Sequence, residues 1–124
     1  MTANSHNRTF GQVGEDLAAA YLLRNGYQIL VRNFRYGRME LDIVARLKDE
    51  IIFVEVKTRS DDDKAVPEKV VGRNKQRNIR VAAEYYMESN ELALPARFDI
   101  IMVMKAGSFE IEHWEDAFYP FDTY

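Results

Sequence analysis

The sequence predicts an α/β fold, a three-layer sandwich in which helices flank a mixed central β-sheet. Apolar residues recur at helical spacing in two segments, and five other segments have the apolar or alternating composition of strands. The two predicted helices lie at the two ends of a group of three strands, and two more strands follow the second helix. This order favours helices packed on both faces of one sheet.

The first predicted helix runs from about residue 8 to residue 25. Gly26 follows it and is expected to adopt the left-handed conformation that often ends a helix. Glu15 lies at the border of the apolar face, where a carboxylate can reach the edge of the sheet. That apolar face is formed by Phe10, Gly14, Leu17 and Tyr21.

Three strands follow, at about residues 27–33, 38–46 and 50–58. The last two are separated by a short turn at Lys48-Asp49, which predicts an antiparallel hairpin. A polar loop at 60–69 then leads to the second helix.

The second helix is predicted at about residues 70–89, and strands at about 97–105 and 109–114 close the sheet. The strand at 97–105 has apolar residues on both faces, so we expect it to be buried on both sides. The apolar side of the second helix is formed by Ile79, Ala82, Ala83 and Tyr86.

The composition is that of an ordinary soluble domain, with 47% apolar and 30% charged residues in 124. We expect one domain, residues 1–124, with flexible tails at 1–7 and 119–124. The chain has no cysteine, which excludes disulfides, zinc–thiolate sites and thiol catalysis. It shows neither the apolar core of a signal peptide nor a membrane span, so we expect a cytoplasmic protein without a membrane partner.

The charge is distributed unevenly along the chain, although the formal total is only −3. Residues 57–80 carry eight basic and four acidic side chains, whereas residues 81–124 carry two basic and nine acidic ones. Binding of phosphate depends on the local field rather than on the total charge. The basic segment therefore permits a nucleic-acid partner, with a solvated charged helix as the alternative.

The most informative motif is Glu55-Val56-Lys57, at the end of the apolar run 51–54. Alternation places Glu55 and Lys57 on one face of a strand that reads as buried. A buried charge is costly unless it is paired or bound to a metal. The preceding strand carries Glu40 and Asp42 on one face, so two neighbouring strands present carboxylates side by side.

This arrangement predicts a divalent-metal site for phosphodiester hydrolysis. Mg²⁺ prefers oxygen ligands, and Asp42 and Glu55, on antiparallel neighbours, can share one ion, with the Val56 carbonyl as a third ligand. Lys57 can orient the attacking water or stabilise the charge that grows on the phosphoryl group. Glu15 can bind a second metal or hold a metal-bound water. Because clustered carboxylates repel one another, we expect a metal ion to stabilise the fold.

Simpler interpretations exist for the same residues. Glu55 and Lys57 can form an exposed ion pair worth about 0–1 kcal/mol. That interpretation is less favoured, because the same face carries Ile51 and Phe53. Glu40 is more often solvated or a partner of a ligand than a ligand itself.

The motifs in this order resemble the restriction-endonuclease-like nuclease superfamily, whose signature is an aspartate followed by Glu-x-Lys about a dozen residues later. Within it, the chain is similar to the YraN-like family, which is grouped with endonucleases and related to archaeal Holliday-junction resolvases. The resemblance covers roughly residues 10–118. It rests on Gly11-x-x-Gly14-Glu15, Glu40-Leu41-Asp42, Glu55-Val56-Lys57 and Lys75-Gln76.

The resemblance implies that Asp42 and Glu55 bind Mg²⁺ or Mn²⁺, that Lys57 is the catalytic lysine and that Glu15 completes the site. It also places Lys75 and Gln76 near the scissile phosphate. The chain departs from the family at Met39, where glycine is usual, and it has no proline before Asp42.

These observations predict a metal-dependent endonuclease that cuts DNA, with branched or junction DNA as a candidate substrate. Junction resolution requires two sites and implies a homodimer. The aspartates at 61–63 either deter non-specific binding or form a solvated loop, and we favour the second. The alternative function is a non-catalytic nucleic-acid-binding or scaffold protein with a nuclease fold. The predicted DNA contacts are Arg59, Arg73, Lys75, Gln76, Arg77 and Arg80.

Overall fold

The structure, a computed structural model, describes residues 8–60 and 70–119. Every predicted element is present, with bounds within about four residues of the prediction. Most of the predicted loop and of both tails, including the aspartates at 61–63, lies outside the described residues. The elements are α1 (Phe10–Arg24), β1 (Gln28–Tyr36), β2 (Met39–Leu47), β3 (Glu50–Arg59), α2 (Arg73–Ser89), β4 (Ala96–Ala106) and β5 (Ser108–Phe118).

The five strands form one mixed sheet in the order β1-β2-β3-β4-β5. β1, β2 and β3 are antiparallel neighbours, β4 runs parallel to β3, and β5 returns antiparallel to β4. A parallel pair needs a crossover, and α2 supplies it. One helix packs on each face, which confirms the predicted three-layer α/β sandwich. Within residues 8–60 and 70–119, no helix is long and apolar enough to cross a membrane.

The core has one layer on each side of the sheet, and alternation along the strands assigns residues to them. β3 sends Ile52 and Val54 to the α1 side and Ile51 and Phe53 to the α2 side. Glu55 continues the series of Ile51 and Phe53, so it enters the α2 side of the sheet. The predicted interior face of α2 is confirmed, since it buries Ile79, Ala82, Ala83 and Tyr86.

α1 is well capped and lies close to the sheet. Thr9 and Gln12 form a reciprocal capping box at its start, and Gly26 adopts the predicted left-handed conformation, with φ of 88°. A Cβ at position 14 would collide with Thr58 Oγ1 and lie 3.1 Å from Thr58 Cβ. The glycine thus lets the helix backbone approach β3.

The predicted apolar face of α1 is partly wrong. Phe10 is 43% exposed, and Leu17 and Tyr21 are only half-buried. Small side chains face the sheet instead, because only they fit at such a short distance between helix and strands. The buried residues of α1 are Gly14, Ala18, Ala19 and Leu22.

Two short hairpins connect β1, β2 and β3. The predicted turn at Lys48-Asp49 is confirmed, and Leu47 pairs with Glu50 across it. β1 extends to Tyr36, three residues beyond its predicted end, because Gly37, with φ of 63°, permits a two-residue turn that keeps Tyr36 paired with Met39.

Candidate active site

The site lies where β2 and β3 separate. Their ladder runs from the pair Leu47–Glu50 to the pair Ile43–Val54 and then stops. At the next position, the carboxylate of Asp42 accepts the backbone N–H of Val56, with 2.8 Å between nitrogen and Oδ2. A side chain thus takes the place of a backbone acceptor, and Asp42 comes into contact with the Glu55 carboxylate.

The environment of Asp42 disfavours its charged form. Burial, and next the negative charge of Glu55, raise the pKa of Asp42 to about 7, although the N–H of Val56 acts in the opposite direction. Glu15 contributes a further repulsive charge. The half-buried carboxylate of Asp42 and the buried one of Glu55, which repel each other in this way, would be stabilised by a bound cation.

Glu55 is nearly enclosed and faces two ammonium groups. Its side chain is 5% exposed, Lys57 Nζ lies 3.6 Å from Oε2, and Lys75 Nζ lies 3.3 Å from the same oxygen. Lys57 comes from the same strand, whereas Lys75 reaches across from the first turn of α2. The surface ion pair considered from the sequence is therefore ruled out, because the acid is buried.

Glu15 lies beside the pair but is held by other partners. Its Oε1 accepts from Nε and Nη2 of Arg32, at 3.0 and 2.8 Å, and its Oε2 accepts from Asn33 Nδ2 at 2.9 Å. Asn33 reaches this position from a left-handed backbone conformation, with φ of 55°. Arg32 also binds Asp16 at 2.7 Å. Glu15 is thus held in place close to the site.

An open pocket of about 350 Å³ joins the first turn of α1 to the end of β3. It is large enough for several waters or a phosphate group. Its lining residues are Thr9, Phe10, Gly11, Gln12, Glu15, Asp42, Val56, Lys57 and Thr58. Four of the predicted site residues therefore border one space, and Glu55 lies against Asp42 beside it.

These donors fit a hard divalent cation only in part. Over residues 8–60 and 70–119, no group of three or more His, Asp or Glu side chains is arranged to hold a metal ion. Two carboxylates in contact match the usual protein share of a Mg²⁺ site, in which waters and substrate oxygens supply the other ligands. The structure thus brings Asp42 and Glu55 together, and metal ligation by these two acids and by the Val56 carbonyl stays a prediction.

Glu40 lies away from the acid pair. It borders a neighbouring polar pocket with Glu15 and Arg32, and its Oε2 lies 3.7 Å from Arg35 Nη2. This agrees with its interpretation as a solvated neighbour of the site.

The predicted DNA contacts fall into two groups. Lys75 faces the site, and Arg59 lies exposed at the end of β3. At 100° per residue, Arg73, Arg77 and Arg80 occupy a flank of α2 well away from Lys75. Arg80 donates to the carbonyl of Tyr119 at 3.4 Å, and Gln76 donates to the carbonyl of Val71 at 2.8 Å. The three arginines share a face of α2, but it is not the face that meets the acids.

Sequence reasoning missed a second polar cluster, on the α1 side of β4. Asp99 is fully buried and accepts from Nε and Nη2 of Arg97, at 2.9 and 2.7 Å, and from the N–H of Asp116 at 3.0 Å. His113 Nε2 lies 2.7 Å from Asp99 Oδ2, and its Nδ1 lies 2.9 Å from the hydroxyl of Tyr21. The available signal was Asp99 itself, an acid directly before the apolar run 100–104.

A family model and individual relatives of this chain carry the same family description. Residues 14–103 match a family model described as "Uncharacterised protein family UPF0102". A UPF0102 protein of Bacteroides fragilis is 50% identical over 116 residues, which cover 93% of this chain and 95% of that protein. A UPF0102 protein of Syntrophotalea carbinolica is 48% identical over 112 residues, covering 89% and 91%.

A more divergent UPF0102 protein, from Chlorobium phaeobacteroides, is 39% identical and covers 95% of this chain and 98% of its own length. Among solved structures, Pyrococcus furiosus SfsA in complex with Ca²⁺ is 18% identical, covers 86% of this chain and 60% of its own, and has a TM-score of 0.29. No inference rests on a structural likeness this weak.

Proposed function

We propose that this chain, which belongs to the uncharacterised protein family UPF0102, is a metal-dependent endonuclease that hydrolyses phosphodiester bonds in DNA. UPF0102 is the YraN-like family, so the family resemblance drawn from the motifs is confirmed. The observation that carries the proposal is the Asp42–Glu55 pair beside an open pocket and Lys57, where burial and next the charge of Glu55 raise the pKa of Asp42 to about 7. Perturbed buried acids of this kind are typical of functional sites.

Asp42 and Glu55 would hold Mg²⁺ or Mn²⁺, with the Val56 carbonyl as a further ligand. The ion would supply a more acidic water and neutralise charge on the phosphoryl oxygens. Ionisation of Asp42 is required for ligation. Its raised pKa therefore means that affinity for the ion increases as the pH rises toward and past 7.

The two lysines provide the positive charge that the chain itself contributes. Lys57 borders the pocket and is 31% exposed, so its ammonium group can contact both the attacking water and a phosphoryl oxygen. Lys75 is 48% exposed and approaches from α2. With Glu55 bound to a cation, the ammonium groups of Lys57 and Lys75 would be available to contact phosphate.

Glu15 has a supporting role in this proposal. Arg32 and Asn33 occupy both of its carboxylate oxygens, which leaves it suited to accept a hydrogen bond from water in the pocket rather than to move toward Asp42. We therefore assign Glu15 to water positioning and keep metal ligation on the acid pair.

The test is cleavage of labelled single-stranded, duplex, flap and four-way-junction DNA with Mg²⁺ or Mn²⁺. Lys57→Gln should reduce the rate at least about 100-fold, the scale of one lost transition-state contact, while metal binding measured by calorimetry stays near wild type. Lys48→Gln, at the turn at the opposite end of β3, is the matched control and should leave the rate unchanged. Cleavage that persists undiminished in Lys57→Gln would remove this lysine from the mechanism.

A non-catalytic nucleic-acid-binding role is favoured by one observation. Glu55 is already engaged by two lysines, and Glu15 by Arg32 and Asn33, so two of the three acids are neutralised without any ion. DNA binding without cleavage on all four substrates and with both metals would support that function and overturn the nuclease proposal.

A further inference from the structure

An exposed pair of tyrosines lies beside the β1–β2 hairpin. Tyr36 is the last residue of β1, and Tyr85 lies on α2. Their rings are stacked, with centroids 4.2 Å apart and an interplanar angle of 23°. Tyr36 is 39% exposed and Tyr85 is 43% exposed. The pair thus presents aromatic surface to solvent.

The core holds these rings in place. Phe34 stacks on Tyr85 at 6.2 Å and packs edge-on against Tyr86 at 5.1 Å, and Tyr86 in turn contacts Phe53 at 6.2 Å. A fixed aromatic surface loses little conformational entropy when another ring stacks on it.

The hairpin that carries Tyr36 is basic. From residue 32 to residue 39 the chain carries three arginines and no acid. Arg38 is exposed at the turn next to Tyr36, whereas Arg35 alternates with Tyr36 along β1 and lies on the opposite face of the sheet, 3.7 Å from Glu40. An aromatic pair beside an exposed arginine suits a strand of nucleic acid, because a base stacks and a phosphate pairs with the cation.

The hairpin also connects this surface to the acid pair. Tyr36 pairs with Met39, and Asp42 follows three residues along β2, which is about 10 Å at the usual strand rise. We propose that Tyr36 and Tyr85, with Arg38 at the adjacent turn, form a stacking platform for an unpaired base of the DNA substrate. This inference rests on the proposed function and specifies its substrate class as DNA with unpaired nucleotides next to the cleaved bond.

A fully paired duplex cannot use such a platform, because its bases already stack on one another. Stacking of a base on an aromatic side chain contributes about 1–3 kcal/mol, so loss of the ring should weaken binding about 5- to 150-fold. The loss should occur with single-stranded and flap DNA, which carry unpaired nucleotides, and not with duplex.

The experiment measures anisotropy of labelled DNA in the Lys57→Gln background, which prevents cleavage. Tyr36→Leu, which keeps an apolar side chain at the hairpin, should weaken binding of single-stranded DNA, whereas Tyr36→Phe should not. Tyr119→Ala, at a tyrosine that is 62% exposed elsewhere on the surface, is the control. Fluorescence of 2-aminopurine in the strand should be quenched on binding and recover in Tyr36→Leu.

Equal losses for duplex and single strand in Tyr36→Leu, or quenching that survives it, would overturn the platform. The cleavage assay with wild-type protein separates the two proposals. Cleavage without this stacking signature contradicts the platform alone, and stacking without cleavage contradicts the nuclease alone.

Discussion

The Asp42–Glu55 pair and Asp99 lie in the same sheet, but their electrostatic surroundings are opposite. Burial and the neighbouring Glu55 charge raise the pKa of Asp42 to about 7. Burial also acts to raise the pKa of Asp99, but hydrogen bonds from His113, Arg97 and the Asp116 N–H outweigh it and hold that pKa below its ordinary value. One acid is left in repulsion at an open pocket, and the other is fully hydrogen-bonded.

The difference separates the proposed active site from a structural cluster. In the Asp99 cluster, each partner is itself fixed, since Arg97 donates to the hydroxyl of Tyr27 at 2.7 Å and His113 contacts Tyr21. Nothing remains for a ligand to satisfy. Asp42 and Glu55 carry a repulsion that an added cation can remove. Burial of an acid alone therefore does not identify a site; its partners do.

We expect the largest change in the free energy of unfolding from substitution of Asp99. Asp99→Asn removes the fully buried charge that pairs with Arg97 and should lower the free energy of unfolding by about 3–5 kcal/mol. Asp42→Asn keeps an oxygen for the Val56 N–H and removes the repulsion, so the metal-free protein should be no less stable than wild type at pH 7.5. Chemical denaturation measures the free energy of unfolding of both variants. Similar losses of stability in Asp99→Asn and Asp42→Asn would contradict the difference between the two acids.

Asp42 and Asp99 should also affect the pH dependence of stability in opposite directions. The pKa of Asp42 is higher in the folded than in the unfolded state, so its ionisation lowers stability as the pH rises from about 4 to about 7. The pKa of Asp99 is lowered, so its contribution is present above about pH 4 and is lost as the pH falls further.

The stability difference between Asp42→Asn and wild type should therefore grow between pH 5 and 7, by at most about 1.4 kcal/mol for each pH unit. Denaturation curves at a series of pH values test this, and saturating Mg²⁺ should flatten the difference. A difference that is constant over this range would show that Asp42 is not destabilised by its neighbours.

We expect the smallest change in stability at Tyr21, on the edge of the Asp99 cluster. Tyr21→Phe removes the hydroxyl that contacts His113 Nδ1 and should cost about 0.5–1.5 kcal/mol, the usual net value of one hydrogen bond. DNA cleavage should be unchanged, because Tyr21 does not border the pocket. A loss of cleavage with intact stability would connect the two clusters and contradict their separation.

Much of the fold was predictable because it depends on local patterns. Helical spacing identified the buried side of α2, and alternation placed Glu55 and Lys57 on the same face as Phe53. The left-handed Gly26 and the turn at Lys48-Asp49 followed from residue type at an element end. The interior face of α1 was misjudged because small residues carry little hydrophobic signal.

Local sequence patterns were sufficient to predict the order and kind of the elements, and to identify the acid pair at the β2–β3 divergence with its lysine. Each of these features depends on residues a few positions apart. The contacts between side chains that are distant in the sequence could be identified only from the tertiary structure. Lys75 reaches Glu55 from 20 residues away, Arg32 holds Glu15 from 17 and His113 binds Asp99 from 14. Such contacts depend on strand register and on how each helix lies across the sheet, and these follow from packing of the whole core rather than from any local pattern.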